Sequence, residues 1–275
     1  MWTEPARLEA MLRRDRTVVI AGLVAVTLVA WAYLVYLALG MRNMGTMDMA
    51  HDMAMPQMQS WGAVELLLLF AMWAVMMVAM MVPSVTPLIL MFARANREKG
   101  GSRVVGSAGI LLLGYLLVWW SFSVLATLVQ WRLHSAALLS PMMISTSSVL
   151  GGLLLVAAGV YQFTPLKRVC LVHCRSPLSF LMSEWRDGRW GTLVMGLKHG
   201  AYCVGCCWIL MAVLFVAGVM NLLWVGAIAV FVLVEKVALR RKELGRIVGA
   251  ALIVAGIALI SQMRPQSTVV GGRAR

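Results

Sequence analysis

Apolar residues recur in runs of bilayer-spanning length, with charge confined to the breaks between them. The runs cover roughly 17–40, 61–93, 104–130, 146–166, 191–220, 222–239 and 247–263. A helix rises about 1.5 Å per residue, so about 20 apolar residues cross the hydrocarbon of a membrane. These runs lack the two-residue alternation of a transmembrane barrel, and in lipid the backbone amides of a span must be paired within it. The pattern predicts an all-α, polytopic transmembrane helical bundle of about seven spans, occupying residues 17–263. Residues 1–16 read as a cytoplasmic N-terminal segment and 264–275 as a disordered tail. The first run is longer than the apolar part of a signal peptide, follows Glu4, Glu9 and Asp15, and shows no small-x-small cleavage site, so it reads as an anchor.

Composition agrees, with 61% hydrophobic and only 13% charged residues, too apolar for an ordinary soluble domain. A net charge of +13 would suit a nucleic-acid partner, but its placement argues for a membrane instead. With the N-terminus inside, 19 of the 24 Lys and Arg fall on the cytoplasmic side, leaving Arg42, Arg132, Arg264, Arg273 and Arg275 outside. The positive-inside rule therefore predicts an N-in, C-out protein, multi-pass in a bacterial inner membrane, with no nucleic-acid partner.

Sulfur is concentrated in three places. An exterior stretch, 41–59, carries Met41, Met44, Met47, Met49, Met53, Met55 and Met58 with His51 among them. Thioether is a soft donor that suits copper(I), so this stretch reads as a string of weak capture sites; the bland alternative is a loop whose Met residues touch lipid. The second run follows directly, with Met72, Met76 and Met80 at four-residue spacing and Met77 and Met81 beside them. Such a stripe is either core filler or a path of ligands. Pro83 and Pro87 predict a break in that helix, because each removes a backbone donor and leaves carbonyls to be satisfied by other helices, Ser84, Thr86 or water.

All five cysteines lie between positions 170 and 207. Cys170, His173 and Cys174 read as a string in a cytoplasmic loop. His199, Cys203, Cys206 and Cys207 fall within an arc of about 100° on one helix, so their soft atoms can meet one ion. A reducing compartment argues against disulfides, and the spacing does not match paired zinc knuckles, which leaves zinc as the weaker metal. Lys198 and Glu235, near the inner ends of two runs, are expected either to pair with each other or to snorkel separately to the interface.

The string from Lys198 through Tyr202, Cys203, Cys206, Cys207 and Trp208 to Met211, with Gly218 to Asn221 and Glu235-Lys236, resembles a bacterial family of predicted metal-binding integral membrane proteins, a domain of unknown function. Met72, Trp73, the Met76 to Met81 run with Pro83, and Cys170 to Arg175 are similar to other parts of that pattern. The resemblance extends over most of 61–245 and implies a metal-associated helical membrane protein without naming a reaction. The exterior Met residues and the Met76/Met80 pair are also similar, in chemistry alone, to the eukaryotic copper transporter family.

These residues point to a soft-metal protein, not an enzyme, with copper(I) as cargo. The ion is expected to pass from the Met string along the Met stripe to the Cys/His cluster, with Cys170, His173 and Cys174 as inner acceptor. The alternatives are a membrane chaperone that hands copper to an enzyme or a soluble chaperone partner without net transport, and a structural scaffold. A bis-His heme enzyme is disfavoured because His51, His134, His173 and His199 are not paired on facing spans. No phosphate-cradling Gly-rich loop of an ATP-driven pump is present.

Overall fold

The computed structural model describes residues 4–48, 62–101, 103–135, 148–219, 221–237 and 242–261, and every regular element among them is a helix. In chain order these are α1 (Glu4–Asp48), α2 (Ala63–Glu98), α3 (Val104–Ser135), α4 (Ser148–Tyr161), α5 (Pro165–Arg175), α6 (Pro177–Glu184), α7 (Gly188–Ala212), α8 (Leu214–Ala217), α9 (Leu222–Val237) and α10 (Lys242–Ser261). Five stretches are long and apolar enough to cross a membrane: Met11–Gly40 of α1, then α2, α3, α7 with α8, and Glu243–Ser261 of α10. The run expected at 146–166 is α4 followed, after a 63° bend, by α5, which makes a sixth if the pair counts as one. The run expected at 222–239 is α9, whose 16 residues fall short of the about 20 needed alone. Among the described residues there are thus five or six candidate spans, where the apolar runs predicted about seven.

Two further expectations change. The stretch 41–59 does not start as a loop, because α1 continues through Asp48; the remainder, His51 included, lies outside the described residues, as does the tail 264–275. The prolines of the second run do not break it. Helix α2 passes through Pro83 and Pro87 to Glu98. Pro83 cannot donate to the carbonyl four residues back, Ala79, and the indole of Trp31 on α1 donates to that carbonyl instead at 3.2 Å. Ser84 and Thr86 hydroxyls donate to the Met81 and Val82 carbonyls at 2.8 and 3.0 Å. A neighbouring helix therefore supplies the missing donor, as a proline buried away from water requires.

Helix α2 lies between α1 and α3, with α9 and α6 against another side, and α3 packs along α7. The crossing of α3 and α7 is tight because Gly114 and Gly196 face each other. A Cβ on Gly196 would strike the Leu111 carbonyl, and one on Gly114 would strike that of Leu193. Around this crossing are packed Trp73, Trp119, Tyr115 and the buried Met residues of α2. Trp73 donates to Gln130 at 2.6 Å, so its N–H is not stranded in the core.

Helices α4 and α10 form a second unit, packed extensively on each other and thinly on the rest. Glycines again set the approach: a Cβ on Gly152 would lie 2.7 Å from the Gly256 carbonyl, and one on Gly159 would lie 2.5 Å from that of Gly249. Asn221 makes the turn into α9, as its position between two runs predicts, its N–H reaching the Gly218 carbonyl at 3.0 Å and its side chain accepting from Leu223 N–H at 3.2 Å.

Candidate metal centre

The centre is built where α7 faces α5, the second half of α2 and the end of α9. On α7, His199, Cys203, Cys206 and Cys207 share the inward arc that their spacing predicts, and all four are buried. Cys206 and Cys207 thiols donate to the Cys203 carbonyl at 3.1 and 3.0 Å, a local helical habit that draws the three sulfurs to one side. Helix α5 starts with Pro165 after Thr164, whose hydroxyl accepts from Lys167 N–H. Its inward face carries Lys167, Leu171 and Cys174. Cys174 is thereby buried where α5 packs on α7, close enough to Cys203 and Cys206 to interact with them.

Cys203 is the hub. Its sulfur lies 2.8 Å from Lys236 Nζ and 2.9 Å from the Tyr115 hydroxyl. Lys236, buried at the end of α9, also donates to Ser84 Oγ at 3.1 Å. Ser84 belongs to the segment between the two prolines, and the Tyr115 hydroxyl approaches the Met81 carbonyl at 3.3 Å. Four helices therefore meet at one sulfur, and each brings a polar atom to it or to its partner. A buried amine costs several kcal/mol unless it is well paired, so Lys236 defines a place prepared for sulfur of high electron density.

A cavity of about 140 Å³ opens beside this hub, lined by Ser84, Pro87, Cys174, His199, Lys236 and Arg175 among others. His199 packs edge-on against Phe180, with ring centroids 5.0 Å apart, and its buried Nδ1 has no hydrogen-bond partner among the described residues. A buried ring nitrogen left unpaired beside a thiol is a donor held in reserve. Among the described residues, no three His, Cys, Asp or Glu side chains stand ready as a set to hold a metal ion. The thiols thus adjoin one another without forming a finished cage, and a bound ion would draw them together.

The other expected site residues fall into two groups. Met72, Met76, Met77, Met80 and Met81 are all buried in the core, so the stripe faces protein along its length. Only at Met81, through its carbonyl, does the described bonding link the stripe to the Cys203 hub. On α5, which is a helix and not the loop expected, the three candidates diverge. Cys174 joins the thiols; Cys170 is half-buried against Gly205 on another side of α7. His173 stacks on Tyr202 at 4.2 Å and its Nδ1 pairs with the Val169 carbonyl at 2.9 Å. The expected Lys198–Glu235 pair does not form. Lys198 bonds Glu184 at 2.5 Å, and Glu235 bonds Lys167 at 2.7 Å, because the bend after α4 brings α5 to the end of α9. The Lys198 bond is the main reason the Glu184 carboxyl is held below its ordinary value.

Sequence reading did not assign Lys236, Tyr115 or Ser84 to the site. The available signals were a lysine at the end of an apolar run and a serine between two prolines, both costly in lipid without a partner.

Bilayer-length helices enclosing a buried cluster of thiols define the class, an all-helical, apolar bundle with a soft-donor interior. The chain belongs to the copper chaperone family PpoB2, whose model it matches over residues 70–259. That span runs from just before the Met stripe into the last turn of α10 and includes every described residue of the centre. No curated protein and no solved structure matches the chain.

Proposed function

We propose that the protein is a multi-pass inner-membrane chaperone that binds copper(I) at Cys203, Cys206, Cys207 and Cys174, with His199 completing the donor set, and passes it to a copper enzyme or soluble carrier. The observation that carries this reading is the Cys203 sulfur, held by Lys236 and Tyr115 beside three further thiols. Copper(I) prefers soft, low-coordinate sulfur, and hand-over by ligand exchange needs neighbouring donors and not a rigid cage. Loading exchanges a thiol proton for the ion, so one proton leaves for each thiolate newly bonded to copper. Lys236 and Tyr115 orient the Cys203 sulfur before loading and turn to other partners afterwards. Membership in the copper chaperone family supports this reading.

A transport reading draws on the Met stripe of α2, buried along its whole length. Thioethers bind copper(I) more weakly than thiolates, so a path from Met72 to Met81 toward the thiols descends in free energy without nucleotide.

The test is elemental analysis of full-length protein purified without oxygen. About one copper per chain is expected, falling severalfold in Cys203→Ser/Cys206→Ser. Equal copper in both proteins refutes the site. Copper flux in vesicles that is lost in Met76→Leu/Met80→Leu selects transport over hand-over.

A further inference from the structure

A second cavity, of about 310 Å³, lies at the bend between α4 and α5, against Glu235 of α9 and Arg246 of α10. Its volume is that of a small-ligand pocket, where about 300–1,000 Å³ is usual. Its polar lining is Gln162, Lys167, Arg168, Arg175, Glu235 and Arg246, four cations to one carboxylate. That carboxylate is already engaged: Lys167 Nζ bonds both Glu235 oxygens, at 2.7 and 2.8 Å, and also Gln162 Oε1. Arg175 gives its Nε to the Glu235 main-chain oxygen at 2.7 Å, and Arg246 meets only the exposed Glu243, outside the cavity lining. The Gln162 amide nitrogen is buried and has no acceptor among the described residues. Buried donors are seldom left so, and three guanidinium groups around an orphaned N–H call for an acceptor-rich anion.

The surroundings indicate where that anion comes from. Helix α5 turns 63° from α4 and exposes Leu166, Val169 and Val172 while Lys167 points inward. A short amphipathic helix with an apolar outer face beside a basic cavity is the form of a headgroup-level element, with acyl chains against the valines and leucine.

We infer that this cavity binds the phosphate of an anionic membrane lipid, at a site that shares Arg175 with the cavity of the metal centre but none of its thiols. Glu235 and Lys236 are adjacent, so the lipid would hold the segment that carries the lysine of the Cys203 hub.

The test uses full-length protein in detergent, titrated with phosphatidylglycerol, phosphatidylcholine or inorganic phosphate, with bound molecules counted by native mass spectrometry and unfolding followed by heat. Phosphatidylglycerol is expected to bind and stabilise, and phosphatidylcholine much less. Arg168→Gln/Arg246→Gln, which leaves the Lys167–Glu235 pair intact, should weaken binding roughly fivefold per charge removed. Gln162→Glu, equal in size, should abolish the preference while the lipid-free protein melts as before. Saturation by inorganic phosphate at millimolar concentration would support the phosphate site but overturn its lipid source. Equal binding of the two lipids, or unchanged phosphatidylglycerol binding in both variants, overturns the proposal.

Discussion

The α3–α7 crossing and the α4–α10 pair use one device for different ends. In both, glycines bring two backbones close enough that any side chain would collide. At α3–α7 the close approach sets Tyr115 against Cys203 and His199, so backbone spacing controls a chemical contact. At α4–α10 the facing surfaces are apolar and only a thin contact joins the pair to the rest. Equal packing devices therefore have unequal reach, and what decides it is whether a polar atom depends on the spacing.

The contrast is tested most severely by Gly196→Leu. Overpacking against backbone should cost on the order of 3 kcal/mol and displace Tyr115 from Cys203, so both thermal stability in detergent and copper retention should fall. Gly256→Leu should cost a comparable amount or somewhat less, with faster hydrogen exchange confined to α4 and α10 and copper retained; equal loss of copper would erase the distinction. Within the centre, Cys203→Ala leaves the buried Lys236 amine with the Ser84 hydroxyl in place of two partners and should destabilise by about 2 kcal/mol, whereas Cys207→Ala, which loses one bond to a carbonyl, should cost about 1 kcal/mol. Chemical denaturation of the two variants ranks them. Trp31→Phe keeps the ring packing but removes the donor to Ala79, for an expected loss of about 1 kcal/mol.

The smallest effect lies outside the membrane-length helices. The Glu184 carboxyl is held below its ordinary value by Lys198, so its contribution is present above the unfolded-state value of 4.5 and is lost as pH falls below it. Proteolysis at α6 should rise slightly between pH 6 and pH 3.5, in steps of pH chosen around about 4. Glu184→Gln should flatten that rise.

Much of this was legible in the residues. The apolar runs located the helices, and the four-residue spacings of Met72, Met76 and Met80 and of His199 and Cys203 placed each set on a buried face. What stayed hidden depends on contacts between distant positions. Lys236 meets Ser84 across 152 residues and Cys203 across 33, and no period within α9 reveals either. The Lys198–Glu235 expectation failed for the same reason: charge and depth suggested a pair, but the α4–α5 bend, made at Gln162–Thr164 before Pro165, decided which lysine arrived. The prolines of α2 misled because a proline removes a donor, and sequence alone does not show that an indole 48 residues before Ala79 replaces it.

That indole bears on how the chain is made. Because α1 leaves the ribosome first, the group that will satisfy Ala79 is already synthesised when the proline-bearing helix emerges. Helix α2 need not wait for any later segment to complete its backbone at Ala79, so α1 and α2 pair as a hairpin and offer the remaining chain a finished wall on which to assemble.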